Sequence, residues 1–207
     1  MVNNLGSVAT PRRRLAVEDR RVELLGACLD VLGSRPWADV SMAEIAETAG
    51  VSKPLLYHYF ATKSALYSAT VEWAADDLRA ATQPNPLLPL GPRIRRALDA
   101  HLDWIDTHAL AYRVIIQGGI SSDDDVHMIV ERSRAEVVDR LAEIYHVKSL
   151  SAEQRIVCRG WVGFLEAASL EWLTTRKIEK HQLAQLLQTS LESLIPLLTP
   201  TRKRHRR

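Results

Sequence analysis

From about residue 20 to the end of the chain, apolar residues recur at three- and four-residue spacing, and no stretch alternates apolar with polar positions long enough to suggest a strand. The spacing predicts three short helices between about 20 and 60, followed by longer ones over about 63–81, 93–107, 109–117, 123–146, 152–175 and 180–198. The segment 83–92, QPNPLLPLGP, reads as a connector that no helix crosses, because proline lacks the amide that a helix interior needs. It is the clearest internal boundary. No internal repeat is visible, so the pattern predicts an all-α protein of about nine helices with a compact head and a larger helical body.

Within the head, SMAEIAETAGVSKPLLYHYFATKSAL at 41–66 is written in capping residues. Ser41 and Glu44 form an S-x-x-E capping box that starts a helix, and Ile45, Ala46 and Ala49 supply its inner face. Gly50 stops it, since glycine takes a left-handed conformation at low cost. Val51 then packs beneath the turn, Ser52 caps the next helix, and Pro54 lies early enough to need no amide partner. Two helices joined by a turn of three to four residues match the DNA-reading motif. On the second, Leu56 and Phe60 share a face for burial, which leaves Lys53, Leu55, Tyr57, His58 and Tyr59 pointing elsewhere. Lys53 lies in a first turn whose amides already favour phosphate, and phenol and imidazole groups donate to phosphates or reach base edges. An ordinary αα-hairpin with amphipathic aromatics on its surface has the same pattern.

The segment from about 20 to 70 resembles the DNA-binding domain of the tetracycline-repressor (TetR) family of bacterial transcription factors. The resemblance rests on an amphipathic VELLGACLDVLGSRPW helix, the I-A-x-x-A-G-V-S run at Ile45 to Ser52, L-Y-H-Y-F at Leu56 to Phe60, and Lys63 ahead of Ala65 and Leu66. It implies a three-helix helix-turn-helix head at 15–62 and a ligand-binding and dimerisation body at 63–200. It also implies groove-facing roles for Lys53, Pro54, Leu55, Tyr57, His58 and Tyr59, phosphate contacts at Ser41, Ser52 and Lys63, and a core role for Leu56. Leu55 departs from a polar pattern; contact with a thymine methyl is its most natural use.

Composition agrees with this reading. The 207 residues are 46% hydrophobic and 25% charged, enough to fill a core and too apolar for disorder. The formal net charge of +2 hides an asymmetry: of 27 basic residues, 3 are Arg12 to Arg14 and 5 lie after Thr201, which leaves 19 against 25 acidic ones and a body of −6. Basic ends suit a polyanion, although the arm at 1–14 and the tail at 201–207 read equally as solvated, flexible segments. With no apolar run of about 18 residues and no signal-peptide core, the expected location is the cytoplasm, away from membranes. Cys28 and Cys158 lie far apart in helical apolar patterns and read as buried small hydrophobes.

One reading helix covers few base pairs, so the expected partner is a palindromic operator in double-stranded DNA, bound by a homodimer. Gly160, Gly163 and Ala167 place small residues on one flank of the helix at 152–175. On the helix at 180–198, Leu183, Leu186, Leu187, Leu191, Leu194 and Ile195 form a stripe. The family resemblance implies that these two helices of each subunit build a four-helix dimer interface; packing within one chain also accounts for the pattern. For a small, mostly apolar effector, Trp104, Tyr112, Arg113, Ile116, Gln117, Trp161, Phe164 and Leu165 are candidate cavity residues, each of which also reads as core. His101, Asp103, Arg113, Gln117, Arg159 and Glu166 lie in helices expected to be buried, where charges either pair with one another or bind a ligand. SSDDDVH at 121–127 suits helix capping better than a metal. No cofactor and no catalytic cluster is indicated. The chain thus reads as a sequence-specific, effector-released DNA-binding repressor and not an enzyme; an effector-independent architectural or partner-controlled DNA-binding protein is the alternative.

Overall fold

Capping and glycine chemistry shape the head as its residues dictate. The computed structural model describes residues 11–34, 37–118 and 124–198, with only the backbone path for 11–16, 117 and 118. The chain divides into two compact units, Met1–Thr70 and Val71–Arg207. In the first, α1 (Pro11–Leu32), α2 (Met42–Thr48), α3 (Lys53–Tyr59) and the opening turns of α4 (Lys63–Ala81) surround one core. Ser41 caps α2 by accepting from the Glu44 amide at 3.2 Å, and Ser52 caps α3 by accepting from the Leu55 amide at 3.4 Å. Gly50 takes a φ of +62°. The Gly50 and Val51 amides close back onto the carbonyls of Glu47 and Ala46, a Schellman ending that turns the chain from α2 into α3. Leu24, Leu25, Cys28, Ile45, Leu56 and Leu66 are fully enclosed.

Two features of the head differ from expectation. α1 begins at Pro11, so Arg12 to Arg14 belong to a helix and not to a flexible arm; residues 1–10 and 199–207, including the basic tail, lie outside the described residues. The division into units falls inside α4, after Thr70, because Leu66, Tyr67 and Thr70 are buried in the head and Tyr67 stacks on Trp37 at 4.5 Å.

The second unit contains the rest of α4, then α5 (Leu90–Thr107), α6 (Ala109–Gly118), α7 (Asp124–Ile144), α8 (Ala152–Thr175) and α9 (Lys180–Leu198). The nine α-helices, with a 3-10 turn at Trp37–Asp39 and no strand among the described residues, make the all-α architecture that the spacing predicts. α8 is the central element and packs on α5, α6, α7 and α9. Its capping box is complete: Ser151 Oγ accepts from the Gln154 amide at 3.2 Å, and Gln154 Oε1 accepts from the Ser151 amide at 2.8 Å. Gln154 Nε2 also donates to the Leu198 carbonyl at 2.7 Å, which ties the start of α8 to the end of α9. The proline-rich connector is shorter than expected. α5 already begins at Leu90, and Pro92 sits in its first turn, where the missing amide has no helical acceptor to lose. Both cysteines are buried, and burial pushes the Cys28 thiol up to about 11, leaving it an inert hydrophobe.

Candidate functional site

α3 presents its polar face because Leu56 and Phe60 anchor the opposite one. Leu55, Tyr57 and His58 are exposed, Tyr57 by 42%, together with Lys53 and Pro54, while Tyr59 is half-buried. The Lys53 ammonium lies 5.9 Å from the Tyr57 ring centre, one helical turn on, and the His58 and Tyr59 rings meet edge to face at 5.7 Å. Cation, phenol and imidazole therefore share one outward face, with the two cap serines exposed at the helix starts. A serine that accepts at a cap keeps its own proton to donate. This is a surface able to bond phosphate oxygens and base edges together.

Lys63 differs from the rest. Its ammonium donates to the Trp37 carbonyl at 2.8 Å and to the Ala38 carbonyl at 3.4 Å, and sits 4.3 Å from the Trp37 ring centre. Read from the sequence as a phosphate ligand, it also clamps the turn that leads into α2. Arg21, which sequence reasoning passed over, lies 5.3 Å from the Phe60 ring centre, where α3 ends. Removing the Lys63 clamp should cost on the order of 1 kcal/mol of head stability in the Lys63→Ala variant. A denaturation midpoint unchanged from the parent would contradict it.

In the body, two apolar compartments of about 90 Å³ each adjoin one another, sharing Thr82, His101, Val137, Arg140 and Leu165 in their walls. Of the candidate cavity residues, Tyr112, Ile116 and Leu165 line the first compartment, and Trp161 and Leu165 the second. Three do not reach either. Trp104 is buried in the core, its indole donating to Asp77 at 2.7 Å and stacking on His108. Arg113 donates to Thr174 Oγ1 at 3.3 Å, and Phe164 faces outward with 41% exposure. The side chain of Gln117 lies outside the described residues. The walls that sequence reasoning missed come from α4 (Ala75, Leu78) and α7 (Val130, Val137, Arg140), whose apolar spacing gave no sign of facing a void.

The charges near the cavity pair mostly with one another. Arg134 grips Glu166 through two bonds of 2.8 and 2.9 Å and Glu131 through one of 2.7 Å, while Arg159 reaches Glu131 at 3.2 Å. The hydrogen bond from Arg134 holds the Glu131 carboxyl below its ordinary value. Asp103, expected to be buried, is exposed and paired with Lys180 at 2.6 Å. His101 is buried, its Nε2 3.2 Å from Ser169 Oγ, and desolvation pulls its pKa down to about 4. Its folded value thus lies below the ordinary 6.5, so the stability it confers is present above pH 6.5 and lost as pH falls toward 4. Between pH 7 and pH 5 the loss should be on the order of 2 kcal/mol. Urea midpoints at the two pH values should show a smaller difference for His101→Gln than for the parent; equal differences would refute the assignment.

The open flank of α8 and α9 bears on dimerisation. Leu183, Leu187 and Leu191 are not available to a second copy: they are buried inside the subunit, where α9 packs on α5 and α8. Leu194 is half-buried, whereas Gly160, Ala167, Ile156, Phe164, Leu186 and Leu197 are exposed and Gly163 is half-exposed. A Cβ placed on Gly160 or Gly163 would meet nothing within 4 Å, so packing within the subunit does not require glycine at either position. Among the described residues, no group of His, Cys, Asp and Glu side chains is arranged to hold a metal, and no helix is long and apolar enough to cross a membrane.

Comparison with known proteins reaches both units. Residues 24–70 match the family model described as bacterial regulatory proteins, tetR family, and residues 90–192 match that of the tetracyclin repressor-like C-terminal domain. Over 172 residues the chain is 30% identical to the HTH-type transcriptional activator FasR of Mycolicibacterium smegmatis, covering 81% of this chain and 78% of that protein. A tetR-family transcriptional regulator from Streptomyces coelicolor is similar in structure, with a TM-score of 0.76 and 31% identity over 87% of this chain and 82% of that one. A TetR-like regulator from Rhodococcus sp. RHA1 gives a TM-score of 0.72 at 25% identity, over 84% and 95% of the two chains.

Proposed function

The chain belongs to the tetracycline-repressor family of DNA-binding transcriptional regulators, and we propose that it acts as a homodimeric repressor which a small, mostly apolar effector releases from a palindromic operator. The observation that carries the effector is the pair of adjoining apolar compartments in the body, since close-packed interiors hold few voids larger than a water molecule. An architectural or partner-controlled protein has no need of it. α4 contributes Ala75 and Leu78 to the cavity wall and is continuous in the chain with Lys63 at its own start, so an occupant that shifts α4 acts on an element that both units share.

On the DNA side, Lys53, Pro54, Leu55, Tyr57, His58 and Tyr59 read the groove, with Ser41, Ser52 and Lys63 on phosphates; the exposure of all but the half-buried Tyr59 and Lys63 supports the assignment. The test begins with a gel shift on DNA from upstream of the protein's own gene. Tyr57→Ala should weaken operator binding in a sequence-dependent way, while Lys63→Ala should weaken it uniformly and lower the magnitude of the salt slope by about one unit. If both variants bind as the parent does, the assignment falls.

Induction requires the effector to prefer the state that does not fit the operator. A coupling of about 1–3 kcal/mol changes operator affinity roughly 5–150-fold, and operator must weaken effector binding by the same factor. Titrating the protein's Trp fluorescence with and without DNA measures both sides. A ligand bound equally well in the two cases would remove the cavity as the switch. The name of FasR favours a second reading, activation; transcription in vitro from the bound promoter distinguishes the two signs.

A further inference from the structure

This inference rests on the effector reading of the body cavity and specifies the chemistry of the occupant. The first compartment is graded along its length. At its outer end lie Arg79, Glu136 and Arg140, which also line an open groove on the surface, while its inner end is closed by Tyr112 and His101, both buried. Two polar groups in this gradient are unsatisfied in complementary ways. Arg140 lies in the walls of both apolar compartments, yet among the described residues its guanidinium bonds only Thr82, at 3.3 Å from the hydroxyl and 3.4 Å from the carbonyl, and no carboxylate lies within ion-pair distance. Arg134, on the same helix, is by contrast fully engaged by two glutamates. Desolvation lowers the Arg140 pKa, and the charges of Glu136 and Glu143, near but not bonded to it, offset only part of that push.

At the inner end, Tyr112 is only 2% exposed and its hydroxyl makes no hydrogen bond. Ser169, which meets His101 Nε2 at 3.2 Å, is near enough to temper the upward push of burial on this phenol but is not placed to form a well-made bond with its hydroxyl. A buried hydroxyl left without a partner is costly, and one that lines a cavity is satisfied when the cavity fills.

We propose that the cavity takes a linear amphiphile with a carboxylate at one end, held by Arg140, and a hydroxyl or oxo group in its tail, held by the Tyr112 hydroxyl: an oxygenated fatty acid. The apolar walls between the two groups face the methylene chain, and the adjoining compartments, about 90 Å³ each, have to widen to admit its full length. Arg140 supplies charge-assisted bonds at the mouth, and Tyr112 discriminates oxygenated from plain tails.

The test titrates the full-length protein with dodecanol, dodecanoate and a series of ω-hydroxy acids from octanoate to hexadecanoate, following heat release and Trp fluorescence. Acids should bind more tightly than dodecanol, and Arg140→Gln should remove that preference, weakening dodecanoate roughly 10–100-fold, as for lost bonds to a charged group. At least one ω-hydroxy acid should bind as tightly as its plain counterpart or more so. Tyr112→Phe should shift that ratio roughly 2–10-fold toward the plain acid, while raising the melting temperature of the unliganded protein. A merely structural tyrosine would leave the ratio unmoved. Dodecanol binding as well as dodecanoate overturns the role of Arg140, and an unshifted ratio overturns that of Tyr112. No binding by any of these ligands overturns the whole inference. Acids that bind through Arg140 without altering operator affinity would support this ligand class and refute the effector reading.

Discussion

Replacing Leu56 by Ala is expected to unfold the head and abolish DNA binding with it. Leu56 is fully buried, the one buried residue of α3, and that helix packs on α2. Truncating a buried leucine costs about 2–5 kcal/mol, the transfer term plus the cavity left behind, and a seven-residue helix has almost no stability of its own to offset it. Amide hydrogen exchange resolves the outcome: protection should fall across residues 24–70, including α2, whose side chains are untouched. Tyr57→Ala, on the exposed face of the same helix, should leave protection intact. If the Leu56 variant keeps full protection but no longer binds DNA, the residue serves the interface and the division of faces on α3 is wrong.

Phe164→Asp and Gly163→Arg should each convert a dimer into monomers. Both residues lie on the open flank of α8, beside Ile156 at 72% exposure and Gly160, with Leu186 and Leu197 exposed on α9. A stable two-fold interface built there should bury more than about 1,000 Å² in total, and a charge at its centre would be desolvated without a partner. Light scattering should show a halved mass with the helical signal unchanged. Operator affinity should fall about 10²–10⁴-fold as the second half-site loses its effective concentration. Leu187→Glu is a poor substitute, because Leu187 is buried within the subunit and the variant would fail to fold. Monomers that bind a palindromic site as tightly as the parent would remove the two-fold model.

Local chemistry was legible in the residues themselves. Ser41, Gly50 and Ser52 act within three residues of their own positions, so their caps and turn follow from spacing alone, and α2, α3, α4, α8 and α9 stand where the pattern puts them. Leu56 and Phe60 were placed in the core, and Lys53, Tyr57 and His58 outside it, because a helix anchored on one face exposes the other. The TetR resemblance rested on the same string of residues.

What the tertiary structure decided lies at longer range. Leucines 183, 187 and 191 form a stripe that suits a subunit interface and a subunit core equally well; only the arrival of α5 and α8 on that face made them core and left Phe164 and Leu186 outside. Trp104 and Trp161 share the same apolar character, yet one meets Asp77 and the other a cavity wall. Lys63 carries no sign in sequence of the Trp37 and Ala38 carbonyls, 26 and 25 residues away, that it clamps. The same holds for Arg134 and Arg140, six positions apart on α7, one saturated by Glu131 and Glu166 and the other left to a threonine. Periodicity determines which side of a helix is buried, because that depends on one element's own geometry. What covers the buried side, and whether it meets a neighbour or a void, depends on how separate elements pack, and that information is spread over residues distant in the chain.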